Sequence, residues 1–487
     1  MSSVLVHREA TSAIEVLEIG EWRSQLLARA RAGMRPLTLY GRRDGDRVLV
    51  TVVLQDGDRL CVSRTSVDPA HGYHELTSEL PALHCFEREL HEQHGVRIAG
   101  HPWLKPIRFE GRDQAAMATY PFYRVDGKEV HEVAVGPIHA GVIEPGSFRF
   151  MCYGEHVLHL EIHLGYQHRG VEARLLERDP RLLAPWVETI AGDTSVGHTW
   201  AYAAAIERLV DHDIAPAIEL SRAVALELER IAMHLAGLSG MAADVGFLPG
   251  ASTYGRLRTT AINTSMRLCG SRFGRSAVRP GGSGMRLDDE LVTLARGNVA
   301  LLRADIAIMN DHFLAARSVR HRLAGVGVVS QELARQLGLV GMAARSCGIE
   351  LDARTPARGH YEKHPITACV EPTGDCWARA RLRIAEIDAS LAWLEAVLAE
   401  PGAWAPSRAE LPALAPSQLV VSTVEAWRGE VVHCLETDAT GALLHYKVQD
   451  PSLRNWMGLA QAVRGNDISD FPICNKSFDL SYCGNDL

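Results

Sequence analysis

The sequence carries ten cysteines in 487 residues and no CxxC pair among them. Paired thiolates are the usual mark of structural zinc and of soft-metal centres, so spacing alone points to no such site. A disulfide framework is the habit of short secreted chains. Here Met1-Ser2-Ser3-Val4 leads straight to His7, Arg8 and Glu9, without a basic segment backed by an apolar one, so no secretory signal is expected. No stretch approaches the roughly 18 apolar residues that span a bilayer. A basic stripe interleaved with aromatics is lacking too, and 51 basic against 59 acidic residues give a net charge of -8, which excludes nucleic acid as an expected partner. These absences predict a reducing, cytoplasmic compartment, with any membrane contact made through partner subunits.

What is present is ordinary globular composition, 47% hydrophobic and 23% charged. At roughly 150 residues per domain, that length predicts two or three domains. Residues 1–130 read as a small α/β unit. Val48, Val50, Val52 and Leu54 alternate as a strand, Asp56-Gly57-Asp58 turns, and Leu60 and Val62 continue. Residues 86–94 read as a helix. After Asp126-Gly127-Lys128, a second unit over 135–487 opens with strands at Phe148–Cys152 and Val157–His163 and then turns mainly helical. Leu220, Val224, Leu228, Ile231, Leu235 and Leu238 form the stripe of a helix over 216–240. Ile384, Ile387, Leu391, Leu394 and Leu398 form another, with Asp375 placed as its N-cap. After four prolines, Gly441 separates strands at 431–435 and 443–448.

Several groupings of polar residues invite a chemical reading, each against a plainer one. His159, Glu161 and His163 share a strand face and would suit zinc or iron; an exposed polar edge is the commoner meaning. Gln167-His168-Arg169-Gly170-Val171-Glu172 places charges around a glycine where strand yields to helix; the alternative is a helix start with surface charge. Asp193 and His198 could relay protons, although an Asp there is more often a cap. Glu227, Arg230 and His234 lie beside the apolar stripe; an ion-pair network between helices is favoured over a proton path. Pro280-Gly281-Gly282-Ser283-Gly284 lacks the ending of a phosphate-binding loop and reads as a turn. Cys474 and Cys483 read as small buried apolar residues.

Taken in order, these stretches resemble a family. Phe86-Glu87-Arg88-Glu89 through Gly95, with Gly100-His101-Pro102-Trp103-Leu104-Lys105-Pro106, is similar to the 30 kDa-type subunit of respiratory complex I. From about 135 onward the chain resembles the 49 kDa-type subunit and its relatives, the [NiFe] hydrogenase large subunits. The carrying stretches are Gly136-Pro137-Ile138-His139, Glu144-Pro145-Gly146-Ser147-Phe148, His168-Arg169-Gly170-Val171-Glu172, Glu227-Leu228-Glu229-Arg230-Ile231 with His234, and Gly374-Asp375 with Arg379 and Arg383. Asp470-Phe471-Pro472 and Asn475-Lys476-Ser477-Phe478 resemble the tail of group 4 hydrogenases of the formate hydrogenlyase type, in which the two subunits are fused. The resemblance implies an α+β fold: a small N-terminal α/β domain, then a mainly helical hydrogenase-large-subunit-like domain with a small β portion. It implies a large subunit of a complex-I-like oxidoreductase, held on the cytoplasmic face of a membrane by a small iron–sulfur subunit and antiporter-like membrane subunits.

The departures from that family bear on mechanism. Nickel-bearing relatives use two CxxC pairs, which would fall at Ala191 and Thr194 and at Ser481 and Gly484; none of these four is cysteine, and Cys483 stands alone, one place off. An intact [NiFe] centre is therefore not expected. Asn485-Asp486-Leu487 likewise offers no extension of the kind removed in nickel-dependent maturation. In complex I a histidine and a tyrosine bind a quinone headgroup; those positions fall near Ile143 or Glu144 and near Gly192, while His139 and His163 match other histidines of the family. The magnesium-binding glutamate of hydrogenases matches Glu172, but its C-terminal partner position is Leu487. The residues expected to carry function are thus His139, Glu144, His168, Arg169, Glu172, Asp193, His198, Arg230, His234, Asp375 and Arg379. They would serve electron transfer beside an iron–sulfur partner, with quinone as an acceptor, coupled to ion movement. A hydrogenase with unusual ligands and a scaffold subunit without redox chemistry are the alternatives.

Overall fold

The computed structural model describes residues 3–110, 119–138, 144–400 and 406–487; His139 and Ile143 lie outside them. Short segments aside, the strands are β1 (Leu5–Ala10), β2 (Val16–Leu17), β3 (Arg35–Asp44), β4 (Arg47–Asp56), β5 (Arg59–Val67), β6 (Val130–Val135), β7 (Ser147–Tyr153), β8 (His156–His163), β9 (Gln418–Ala426), β10 (Gly429–Thr437) and β11 (Leu443–Gln449). The helices are α1 (Ile19–Arg31), α2 (His84–His94), α3 (Val171–Leu176), α4 (Ser195–Leu209), α5 (Pro216–Asp244), α6 (Leu248–Cys269), α7 (Asp289–Ala315), α8 (Cys376–Leu398), α9 (Pro451–Ala462), α10 (Phe471–Phe478) and α11 (Tyr482–Asp486). This is a mixed α+β chain.

In the N-terminal sheet the order is β2-β5-β4-β3. Asp56 pairs with Arg59, so Gly57 and Asp58 make a two-residue hairpin turn, and Gly57 takes the positive φ (55°) that such turns need. One face of the sheet, with Val48, Val50, Val52 and Leu54, packs on α1 and α2. The other face is covered too: Leu37, Tyr40 and Val53 meet Leu419, Val421 and Val432 of β9 and β10. That explains why β4 is buried along nearly its whole length instead of alternating.

The N-terminal segment does not stay with its own unit. β1 pairs antiparallel with β9, from Leu5 opposite Thr423 to Ala10 opposite Gln418. It completes the sheet β1-β9-β10-β11, whose remaining strands lie near the C-terminus. The 1–130 unit therefore gives a strand to the 135–487 unit. A second antiparallel sheet, β8-β7-β6, opens that unit.

α5 begins with Pro216, whose missing N–H costs nothing at that position. It packs against α6, α8 and α10. Being enclosed, it buries its polar stripe as well as its apolar one: Glu227, Arg230 and His234 are fully buried. Asp375 caps α8 by accepting from Ala378 N at 2.7 Å. Among the described residues, no helix is long and apolar enough to cross a membrane.

Candidate functional site

Two segments far apart in sequence meet at the start of α4. Arg169 donates to Thr189 O (2.6 Å), Ile190 O (3.0 Å) and Cys483 O (3.1 Å), tying the loop before α4 to the C-terminal segment. His168 Nδ1 donates to Asp486 O at 2.7 Å. The Asp486 carboxylate accepts from Gly165 N and Gln167 N, both at 2.9 Å. The glycine-centred run 167–172 is therefore the clasp that holds the C-terminal segment in place.

Within the clasp, Asp193 and Arg428 form a bidentate ion pair, 2.7 Å on each arm. Arg428 comes from the turn between β9 and β10. It stacks on Trp427 at 3.9 Å, reaches Thr194 Oγ1 at 3.3 Å and donates to Asp479 O at 2.5 Å. Trp427 Nε1 donates to Asp193 O. Glu144 faces this pair: its carboxylate accepts from Cys483 N at 2.9 Å. Burial and the nearby Asp193 charge raise the Glu144 carboxyl above the usual range. Burial, with Glu144, pushes the Cys483 thiol up to about 11, so it is protonated at neutral pH.

Behind the loop runs a line of buried hydrogen bonds. Asp450 Oδ2 meets His198 Nε2 at 3.1 Å, His198 Nδ1 meets His433 Nε2 at 3.1 Å, and His433 Nδ1 meets the Tyr446 hydroxyl at 2.7 Å. Burial, then His198, holds His433 well below its usual pKa. The line begins at the metal-ligand position Gly484, where an added Cβ would sit 2.6 Å from the Asp450 carboxylate. Ser481 is engaged as the cap of α11, accepting from Gly484 N at 2.9 Å. Ala191 offers a methyl, and Thr194 faces Arg428. The four positions thus supply no thiolate, and an [NiFe] centre does not fit them.

Glu172 does not fit a magnesium ion either. Its carboxylate is 3.0 Å from the buried Lys447 ammonium and accepts from Val448 N at 2.9 Å. Lys447 also binds Glu89, which Arg108 bonds in turn, so two cations already balance two carboxylates here. Leu487 lies in an apolar cluster.

Glu227, Arg230 and His234 are members of a larger enclosed network rather than of this site. Glu227 binds Arg230, Arg354, Tyr361 and Ser390. His234 and Arg345 share Glu386 at 2.8 Å, and Arg345 also holds Glu425 at 2.6 Å. Asp375 and Arg379 are positioning groups for the fold: Arg379 ties Gly327 O, Gly374 O and Ser477 Oγ together, each at 2.8 Å. Arg379 also donates to Cys376 Sγ, which lies against Cys474, a pairing that no sequence spacing announced. The His159–Glu161–His163 strand face is buried instead of exposed. Glu161 accepts from Lys105 Nζ at 2.6 Å, and His163 stacks on Tyr120 at 4.5 Å. Gly282–Ser283 of the glycine-rich run forms a short strand between Val278–Arg279 and Ser407–Arg408.

Glu229 is the functional-site residue that the sequence reading undervalued. Buried at the start of α4, it accepts from Val196 N (2.8 Å) and Gly197 N (3.2 Å) and anchors the loop bearing Asp193. Burial pushes it up to about 8 despite those bonds. A carboxyl whose folded value lies above its unfolded one binds its proton more tightly when folded, so stability declines as pH rises from about 4.5 to about 8. Glu229→Gln is expected to flatten this decline, as read by denaturant unfolding at pH 5 and pH 8.

A match to the family model for the 49 Kd subunit of the respiratory-chain NADH dehydrogenase covers residues 244–409. Formate hydrogenlyase subunit 5 of Escherichia coli is 27% identical over 443 residues, spanning 84% of this chain and 76% of the relative. The chain is like the large subunits of complex-I-like, group 4 hydrogenases. Hydrogenase-4 component G of Escherichia coli is 27% identical over 84% of this chain and 74% of its own length. NADH-quinone oxidoreductase subunit 4 of Thermus thermophilus is 28% identical over 72% of this chain and 92% of its own length. These relatives are subunits of multi-subunit complexes, so the large-subunit likeness carries an expectation of partner subunits.

Proposed function

We propose that this complex-I-like large subunit is an electron-transfer subunit without a nickel centre. It would seat on a small iron–sulfur subunit at the cytoplasmic face of a membrane, beside antiporter-like subunits, and deliver electrons to a quinone. The observation that carries this reading is the Asp450 carboxylate packed on Gly484, where a metal-binding thiolate would be needed. In its place stand groups suited to moving protons.

Reducing a quinone to its quinol takes up two electrons and two protons. The electrons would come from the iron–sulfur partner. Glu144, whose raised pKa keeps a larger share of carboxyl protonated than an exposed glutamate, would be the proton donor beside the Asp193–Arg428 pair. Arg428 holds Asp193 in position. The Asp450–His198–His433–Tyr446 line supplies a buried path along which a proton can be replaced.

Reduction of decylubiquinone by the purified complex tests the reading. Glu144→Gln should lower kcat roughly 100-fold, the size of a lost general acid, with KM little changed. Unchanged turnover would remove Glu144 from the mechanism. No quinone reduction by the native complex would favour a scaffold role.

A further inference from the structure

We infer that a cavity between the N-terminal unit and the rest of the chain binds a small planar molecule bearing carbonyl and hydroxyl oxygens. The cavity lies between α2, β8 and α9 and has a volume of about 260 Å³. That is just under the roughly 300–1,000 Å³ of pockets for drug-sized ligands, which leaves room for one or two rings. Ile107, Leu160, Leu453 and Met457 make its walls apolar.

Its polar lining divides into engaged and free groups. Arg88 donates to Lys105 O at 2.7 Å and to Pro106 O at 2.9 Å. Glu161 accepts from Lys105 Nζ at 2.6 Å and from Tyr123 N at 2.7 Å. Both are therefore already bonded within the protein, and the third charged group of the lining, Arg464, is engaged with His159. Four buried side-chain nitrogens of the lining lack a partner among the described residues: both of His84, Nε2 of His159 and Nε1 of Trp456. His84 and Trp456 are 7% and 5% exposed. A buried polar atom without a partner loses the free energy of its missing bond, and so marks where a ligand or water completes the set.

The chemistry of these atoms selects the ligand. Burial lowers His84 to about 3, so its ring is neutral and offers one donor and one acceptor. Arg464 donates to His159 Nδ1 at 2.8 Å, which leaves the proton of a neutral ring on Nε2. Trp456 can only donate. Three donors and one acceptor in an apolar slot fit a ligand with two oxygens to accept and one hydroxyl to give. This site is separate from the one around Asp193, and its test does not depend on electron transfer.

The test is isothermal titration of the purified complex at pH 7 with methyl 4-hydroxybenzoate, a planar single-ring probe with ester oxygens to accept and one hydroxyl to give, which is not a quinone and so does not report the Asp193 site. Saturable binding at one per chain is expected. Ala460→Trp, which fills the cavity from α9, should abolish it. Trp456→Phe, which keeps the packing and removes one donor, should weaken it roughly threefold to tenfold. Circular dichroism shows whether each variant folds, and if Ala460→Trp does not, Trp456→Phe decides. No saturable binding to the native complex, or native affinity in the folded variants, overturns the inference and assigns the cavity to water.

Discussion

Arg345→Met is expected to destabilise the chain by about 3–5 kcal/mol, the usual loss when one partner of a buried charge pair is removed. Arg345 has no exposed surface and binds Glu386 at 2.8 Å, Glu425 at 2.6 Å and Asp352 at 3.6 Å. Methionine fills much of the space but leaves these carboxylates without their shared cation. Glu425→Gln should behave in the opposite way and cost less than about 1 kcal/mol. Burial, with Asp352 adding and Arg345 opposing, pushes Glu425 up to about 7, so it already carries a proton much of the time at neutrality. The sign follows: a carboxyl raised on folding stabilises fully below its unfolded pKa and loses that contribution as pH climbs to about 7. Glu425→Gln should remove that part of the pH dependence. Denaturant unfolding at pH 5 and pH 8 measures both variants. An Arg345→Met chain as stable as the native one would contradict the network as described.

Gly484→Cys is the second large effect. The new Cβ would meet Asp450 at 2.6 Å, and Asp450 is itself bonded to His198 and to Ser452 N. Overpacking of this kind costs about 1–3 kcal/mol. The carboxylate cannot retreat without breaking the His198 bond, so the loss should fall at the upper end. Restoring all four cysteines at 191, 194, 481 and 484 should therefore yield a less stable chain that binds no nickel. Thermal melting and metal analysis of the variants check this. Stable nickel binding by the four-cysteine chain would show that the site relaxes around a metal.

The parts of the fold that were legible are those whose neighbours in space are also neighbours in sequence. α5 and α8 declared themselves through apolar stripes, and Asp375 through its capping chemistry. The β4–β5 hairpin followed from alternation and its glycine turn. α4 gave no such signal because it is buried on every side except at Arg208, and a helix without a polar face has no stripe. β1 could not be placed, since its partner Gln418–Ala426 lies some four hundred residues away.

The site divides along the same line. Glu144, Arg169, Asp193 and His198 were marked by residue type and by likeness to the family; the structure brings the first three to the clasp and sets His198 in the hydrogen-bonded line behind it. Arg428, His433 and Asp450 were missed, because a lone arginine in a hairpin turn or a histidine inside a strand carries no pattern. His198 and His433 are 235 residues apart in sequence. Glu172 was marked only as matching a magnesium-binding position whose partner here is Leu487, and it is Lys447, reached only through the β-sheet, that gives it its meaning.

The central claim is that this large subunit works without a nickel centre. Nickel and iron per large subunit, measured in the native complex together with hydrogen uptake, test it most directly. The account predicts nickel far below one per chain, iron at the level of the partner clusters alone, and no hydrogen turnover. Nickel near one per chain with hydrogen turnover would contradict it.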